Sequence, residues 1–187
     1  MTAGAHGADT LAPDLLAALA SRGWTVAAAE SLTAGLFCAT LASVPGASAT
    51  LRGGAVVYAT DLKTTLAGVP AALLAEHGPV SEPTAAALAE GIRTRCAATW
   101  GVGLTGVAGP GRVDGHPPGR VYLGLSDGSR TVVHELDLSG DRTAVRTGAV
   151  AAALEQLLDR LLEHPAGGNS PGDQGVTPSA DVSTPDR

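Results

Sequence analysis

The chain has 187 residues, a formal net charge of −6, 44% hydrophobic residues and only 3% aromatic ones. That length fits one domain with a sizeable core, and a charged fraction of 16% excludes a highly charged disordered polymer. The acidic balance argues against a protein built to hold a nucleic-acid backbone, while leaving room for a local phosphate site.

Residues 1–9 are small, polar and rich in Gly and Ala, and are expected to fray. From Thr10 to Ser21, Leu11, Leu15, Leu16 and Leu19 recur at helical spacing, and Gly23 is placed to stop the helix. Trp24 to Ala29 reads as a short buried strand, and Thr33 to Ser43 as a helix ended by Pro45-Gly46. Leu51 to Ala59 contains the strand-forming run Ala55-Val56-Val57-Tyr58, and short helices follow over Thr60 to Ala67 and Pro70 to Glu76. Ser81-Glu82-Pro83 has the signature of a helix start, with Ser81 as N-cap and the helix running to Ala98.

Trp100 to Thr105 reads as a strand that enters the loop Gly106-Val107-Ala108-Gly109-Pro110-Gly111. Arg120 to Ser126 and Arg130 to Leu138 form two strands joined at Asp127-Gly128, a hairpin signal. Asp141 caps a last helix through Leu162, with Val145, Ala149, Ala152, Leu157, Leu158 and Leu161 facing inward. Residues 165–187 carry almost nothing to bury and read as a disordered tail, so the folded domain is expected over 10–164. Alternating helices and strands with one late hairpin indicate a layered α/β domain with a mixed sheet. Ligands in such folds bind outside the carboxyl ends of the strands.

Cys38 and Cys96 cannot supply a disulfide framework, and the start lacks the basic and apolar pattern of a signal peptide. Gly, Pro and charges interrupt every apolar run, so no membrane span is expected, and a cytoplasmic location follows. No metal-binding pattern such as H-E-x-x-H or paired C-x-x-C occurs, so no metal and no other cofactor is expected.

Glu30-Ser31-Leu32-Thr33-Ala34-Gly35 is a strand-to-helix turn. Ser31 there either caps the helix or stands exposed beside free N–H donors that can hold an oxyanion or a phosphate. In Tyr58-Ala59-Thr60-Asp61-Leu62-Lys63, Lys63 is either a solvated charge or a buried general base, and lysine is scarce in the chain. Gly101-Val102-Gly103-Leu104-Thr105-Gly106 matches G-x-G-x-x-G literally, with Asp127 about 20 residues on. The match lies inside a strand and is followed by prolines, so a dinucleotide site is rejected there. Arg142 and Arg146, at the start of the last helix, are either solvated or form a phosphate or carboxylate clamp.

Ala29-Glu30-Ser31-Leu32-Thr33-Ala34-Gly35, Tyr58-Ala59-Thr60-Asp61-Leu62-Lys63, Gly78-Pro79-Val80-Ser81-Glu82 and Thr105-Gly106-Val107-Ala108-Gly109-Pro110 occur in one order and spacing. Together they resemble the CinA C-terminal domain family, that of nicotinamide-nucleotide amidohydrolase, from about Leu11 to Leu162. The resemblance implies a three-layer α/β/α sandwich with a mixed, mostly parallel sheet, and a homodimer. It implies hydrolysis of the amide of nicotinamide mononucleotide to nicotinic acid mononucleotide and ammonia. On that analogy Ser31 is the nucleophile, Lys63 its base and Tyr58 a hydrogen-bonding partner. Glu30, Thr33, Gly35, Thr105, Gly106, Ala108, Gly109 and Arg142 are then the candidate substrate-binding residues, with the N–H groups of the helix after Ser31 holding the oxyanion. A catalytically silent nucleotide-binding module and an amidase for another small amide are the alternatives. The chain departs from the family where many relatives have Tyr-Ser-Asn in place of Tyr58-Ala59-Thr60. Its loop after Pro110, with Arg112-Val113-Asp114-Gly115-His116 and Pro117-Pro118, is also unusual.

Overall fold

The computed structural model describes residues 8–163. The expected tail, and residues 1–7 of the expected frayed start, lie outside the described residues. In chain order the elements are α1 (Ala8–Ala20), β1 (Val26–Glu30), α2 (Leu36–Ala42), β2 (Leu51–Val56), α3 (Thr60–Thr65) and α4 (Ala71–His77). They continue with α5 (Glu82–Arg95), β3 (Trp100–Gly106), β4 (Arg120–Ser126), β5 (Thr131–Asp137) and α6 (Arg142–Leu162). Ala8 and Asp9, expected to fray, already belong to α1.

The strands form one sheet in the order β2-β1-β3-β4-β5. β1 pairs in parallel with β2 and with β3, whereas β4 is antiparallel to both β3 and β5. Four strands therefore share one direction, and β4 alone runs against them. The sheet is mixed and mostly parallel, as expected, and the hairpin is the reason.

Helices cover both faces, which makes three layers. On one face α1, α2 and α6 bury Leu15, Leu19, Phe37, Leu154 and Leu157 against the sheet. On the other, α5 with α3 and α4 packs Leu88 and Ile92 against Ala27, Ala29 and Val57. β1 is an interior strand, paired on both sides and buried along its whole length, so its small alanines fit between the helix layers on both faces. On α6, Val150, Ala153 and Leu154 are buried while Ala152 and Leu158 are only half-buried, a small rotation of the expected inner face.

The literal G-x-G-x-x-G has a packing explanation. A Cβ at Gly103 would stand 2.4 Å from the Ala85 carbonyl oxygen of α5, and one at Gly124 2.3 Å from the same oxygen. The glycines let α5 lie directly on β3 and β4. Asp127 turns the β4–β5 hairpin instead of meeting a ligand. Its Oδ1 accepts hydrogen bonds from the N–H groups of Ser129 and Arg130, each at 2.8 Å. Among the described residues no helix is long and apolar enough to cross a membrane.

Candidate active site

The parallel strands β1, β2 and β3 all end at one edge of the sheet. After β1 the chain turns to α2 on one face, and after β2 it turns to α3 on the other. Such a divergence opens a crevice between two neighbouring strands. Ser31 follows β1 and Lys63 follows β2, so the two face each other across it.

Lys63 Nζ lies 3.0 Å from Ser31 Oγ and donates a second hydrogen bond to the Val57 carbonyl at 2.9 Å. Lys63 is the chain's single lysine. It is only 2% exposed although it occupies one turn of a short helix beside the surface. Loss of water pushes its amine down from the ordinary lysine value to about 8, and no carboxylate contributes to that value. The solvated-charge alternative for Lys63 is thereby excluded.

Ser31 does not cap α2. That helix starts later than expected, at Leu36, because Ala34 and Gly35 take left-handed backbone angles (φ 51° and 91°) and form a turn. Its N-terminal donors belong to Glu30, whose carboxylate accepts from the N–H of Phe37 at 3.0 Å and of Cys38 at 2.9 Å. Buried Glu30 is thus a cap. The α2 amides expected to hold an oxyanion are already occupied. Thr33, also fully buried, has an Oγ1 without a hydrogen-bond partner among the described residues, and neither Glu30, Thr33 nor Gly35 lines the cavity.

A cavity of about 310 Å³ opens over the pair, within the size range of small-ligand sites. Of the candidate site residues, Thr105, Gly106, Ala108, Gly109, Tyr58 and Arg142 line it. Thr105 Oγ1 donates to the Pro79 carbonyl at 2.6 Å, which ties the end of β3 to the segment before α5. In the Gly106–Gly109 loop, the Val107 N–H donates to Arg120 O, whereas those of Ala108 and Gly109 reach no backbone carbonyl among the described residues. Tyr58 stands at the rim, 56% exposed. Its hydroxyl accepts from Arg142 Nη2 at 2.6 Å rather than bonding Lys63, and Arg142 Nη1 donates to Gly109 O at 2.8 Å.

Sequence reasoning missed two charged groups on the wall, Arg112 and Asp114. The unusual loop after Pro110 was the available signal. With Lys63, Arg112 and Arg142 against Asp114, the lining is cationic in an acidic protein. Such a lining favours an anionic ligand. Arg146, read as a possible clamp, lies off the cavity and bonds the turn after Ser31 instead. The half-buried Cys38 is no rival nucleophile, since desolvation and the neighbouring Glu30 push its pKa up to about 12.

Comparison with known proteins places the chain in a family. The family model of the CinA C-terminal domain matches residues 8–161. A CinA-like protein of Frankia casuarinae is 46% identical over 162 residues, covering 86% of this chain and 37% of that protein. One from Anaeromyxobacter dehalogenans strain 2CP-C is 50% identical over 154 residues, covering 81% of this chain and 38% of its own length. The chain thus spans somewhat more than a third of those relatives. The crystal structure of the competence damage-inducible protein A from Klebsiella pneumoniae subsp. pneumoniae MGH 78578 superposes with a TM-score of 0.83 at 30% identity, covering 86% of this chain and 100% of that one. The competence/damage inducible protein of Agrobacterium tumefaciens gives 0.79 at 33% identity, covering 85% and 98%. The family model, the relatives and the shared fold together make this chain a member of the CinA C-terminal domain family.

Proposed function

We propose that the chain is an amidohydrolase that deamidates nicotinamide mononucleotide through a Ser31–Lys63 acyl-enzyme mechanism. The observation that carries this reading is the 3.0 Å contact between Ser31 Oγ and a buried Lys63 amine with no carboxylate at its side. At pH 7 an amine with a pKa of about 8 is neutral in about one molecule in ten, against fewer than about one in a thousand for an ordinary lysine. The neutral amine keeps its bond to Val57 O and turns its lone pair to the serine hydroxyl.

The chemistry then runs in two halves. Ser31 Oγ attacks the carboxamide carbon as Lys63 takes its proton. The resulting ammonium gives that proton to the departing nitrogen, the C–N bond breaks, and ammonia leaves an acyl-serine. Water attacks the ester, Lys63 again accepts a proton, and its transfer to Ser31 Oγ releases the carboxylic acid. Because Glu30 fills the start of α2, the oxyanion takes donors from the turn after Ser31 or from the Ala108 and Gly109 amides. Arg142 and Arg112 supply charge for the substrate's phosphate.

Ammonia release from nicotinamide mononucleotide by the full chain tests the reading. Turnover by wild type and none by Ser31→Ala supports it. Tight binding of the nucleotide without ammonia would favour a silent binding module, and turnover confined to other amides would redirect the substrate assignment.

A further inference from the structure

We infer that Arg146 is a positioning residue for the nucleophile, holding the Leu32–Thr33 and Thr33–Ala34 peptide groups of the turn after Ser31 in the one orientation that serves the attack. The inference rests on the reading of Ser31 as nucleophile. Arg146 Nε donates to the Leu32 carbonyl at 3.0 Å and Nη2 to the Thr33 carbonyl at 2.8 Å, from 113 and more residues away in sequence.

The turn needs such a hold. It belongs to no helix or strand, and Ala34 and Gly35 carry φ values of 51° and 91°. Upstream it is fixed by the Ser31 N–H on Leu104 O at 2.8 Å, and downstream by the Glu30 carboxylate on the amides of α2. Between these anchors the Leu32 carbonyl takes its hydrogen bond from Arg146.

A trans peptide is planar, so fixing the Leu32 carbonyl also fixes the Thr33 N–H, which points the opposite way. Among the described residues that N–H meets no backbone carbonyl, and Leu32 itself lines the cavity. A cation on the carbonyl also polarises the amide it belongs to and strengthens it as a donor. Arg146 thus acts on the Thr33 amide of the turn after Ser31, the Ala34 amide being bonded to Ser31 O, without touching substrate.

Guanidinium chemistry suits the task. Two donors in one rigid plane meet two successive carbonyls, a pattern that a single ammonium does not reproduce. Asp141 caps α6 through the Ala144 N–H at 2.8 Å and fixes the helix start. Arg142 and Arg146 stand one turn apart and share a face. Arg142 reaches the cavity rim and Arg146 reaches the turn.

The experiment compares wild type, Arg146→Lys, Arg146→Ala and Arg142→Met in the full chain. It reads phosphonylation of Ser31 by a fluorophosphonate probe, kcat and KM for nicotinamide mononucleotide, and thermal melting. Both Arg146 variants should stay folded and lose at least about tenfold in phosphonylation rate and in kcat, with KM little changed. Added guanidinium should restore part of the rate to Arg146→Ala, while Arg142→Met should raise KM instead. Arg146 variants that label and turn over at the wild-type rate would overturn the inference and leave the nucleophile in place. A wild type that is neither phosphonylated at Ser31 nor active would instead remove the nucleophile reading and this inference with it.

Discussion

Arg142 meets the Tyr58 hydroxyl at 2.6 Å across 84 residues of sequence, and the same guanidinium holds the Gly109 carbonyl at 2.8 Å. This bond joins the start of α6 to the end of β2 at the cavity rim and places the Tyr58 hydroxyl beside a permanent cation. A proton relay needs a hydrogen bond to the dyad, and Lys63 bonds Ser31 and Val57 instead of Tyr58. Tyr58→Phe should therefore lower kcat/KM only severalfold, the worth of one exposed hydrogen bond. A relay would show itself as a loss of about a hundredfold or more in kcat. Steady-state kinetics on the single variant decides between them.

The pH profile follows from Lys63. Its active form is neutral, and burial brings its pKa to about 8. Below that value kcat/KM should fall about tenfold per pH unit, and above it the rate should level off. In Lys63→Arg the group stays charged at every working pH, so activity should drop by at least about a thousandfold with no rising limb. A profile of wild type that is flat from pH 6 to 9 would contradict the assignment of the base.

The same burial has a stability consequence with a definite sign. The folded-state pKa of Lys63 lies below its unfolded value, so folding disfavours the charged form. The penalty is full below about pH 8 and fades as pH rises toward the unfolded value near 10.5. It amounts to about 3 kcal/mol at neutral pH. Lys63→Met removes that penalty and leaves the Val57 carbonyl without its donor, a loss of about 1 kcal/mol. The inactive variant should thus be more stable than wild type at pH 7, with the gap closing by pH 10, as read by denaturant melts at both.

Glu30 offers the opposite case, a buried acceptor that stabilises. Its two oxygens satisfy two amides of α2 at 3.0 and 2.9 Å. Glu30→Ala leaves both amides without an acceptor and should cost about 2–4 kcal/mol. Glu30→Gln keeps one acceptor oxygen and should cost about half as much. Both variants should retain an unchanged KM in whatever fraction remains folded, since Glu30 does not line the cavity. Urea unfolding and kinetics on the same samples test the two halves.

Much of the fold was legible because local signals agreed with one another. Ser81 does accept the Thr84 N–H that an N-cap should, at 3.4 Å, and Asp141 accepts the Ala144 N–H at 2.8 Å. The strand Arg120–Ser126 has its expected bounds, since the Asp127-Gly128 turn punctuates it. The late start of α2 was not legible, because an alanine at φ 51° carries no sequence mark. Nor was the fate of Glu30, whose acceptor role depends on where α2 begins.

What the sequence determined by itself was the set of chemical parts and their supports: a serine and a lysine after strand ends, a Gly-rich loop, and arginines at a helix start. Periodicity, caps and turns are encoded within a few residues, and so they can be read there. Which parts touch was decided by tertiary structure alone. The sheet order puts β1 beside β2 and sends their following loops to opposite faces. That crevice brings Lys63 to Ser31 and strips it of water, while α6 returns to hand Arg142 to Tyr58 and Arg146 to the serine turn. Desolvation and long-range contact are properties of the packed core, and no stretch of chain carries them before it folds.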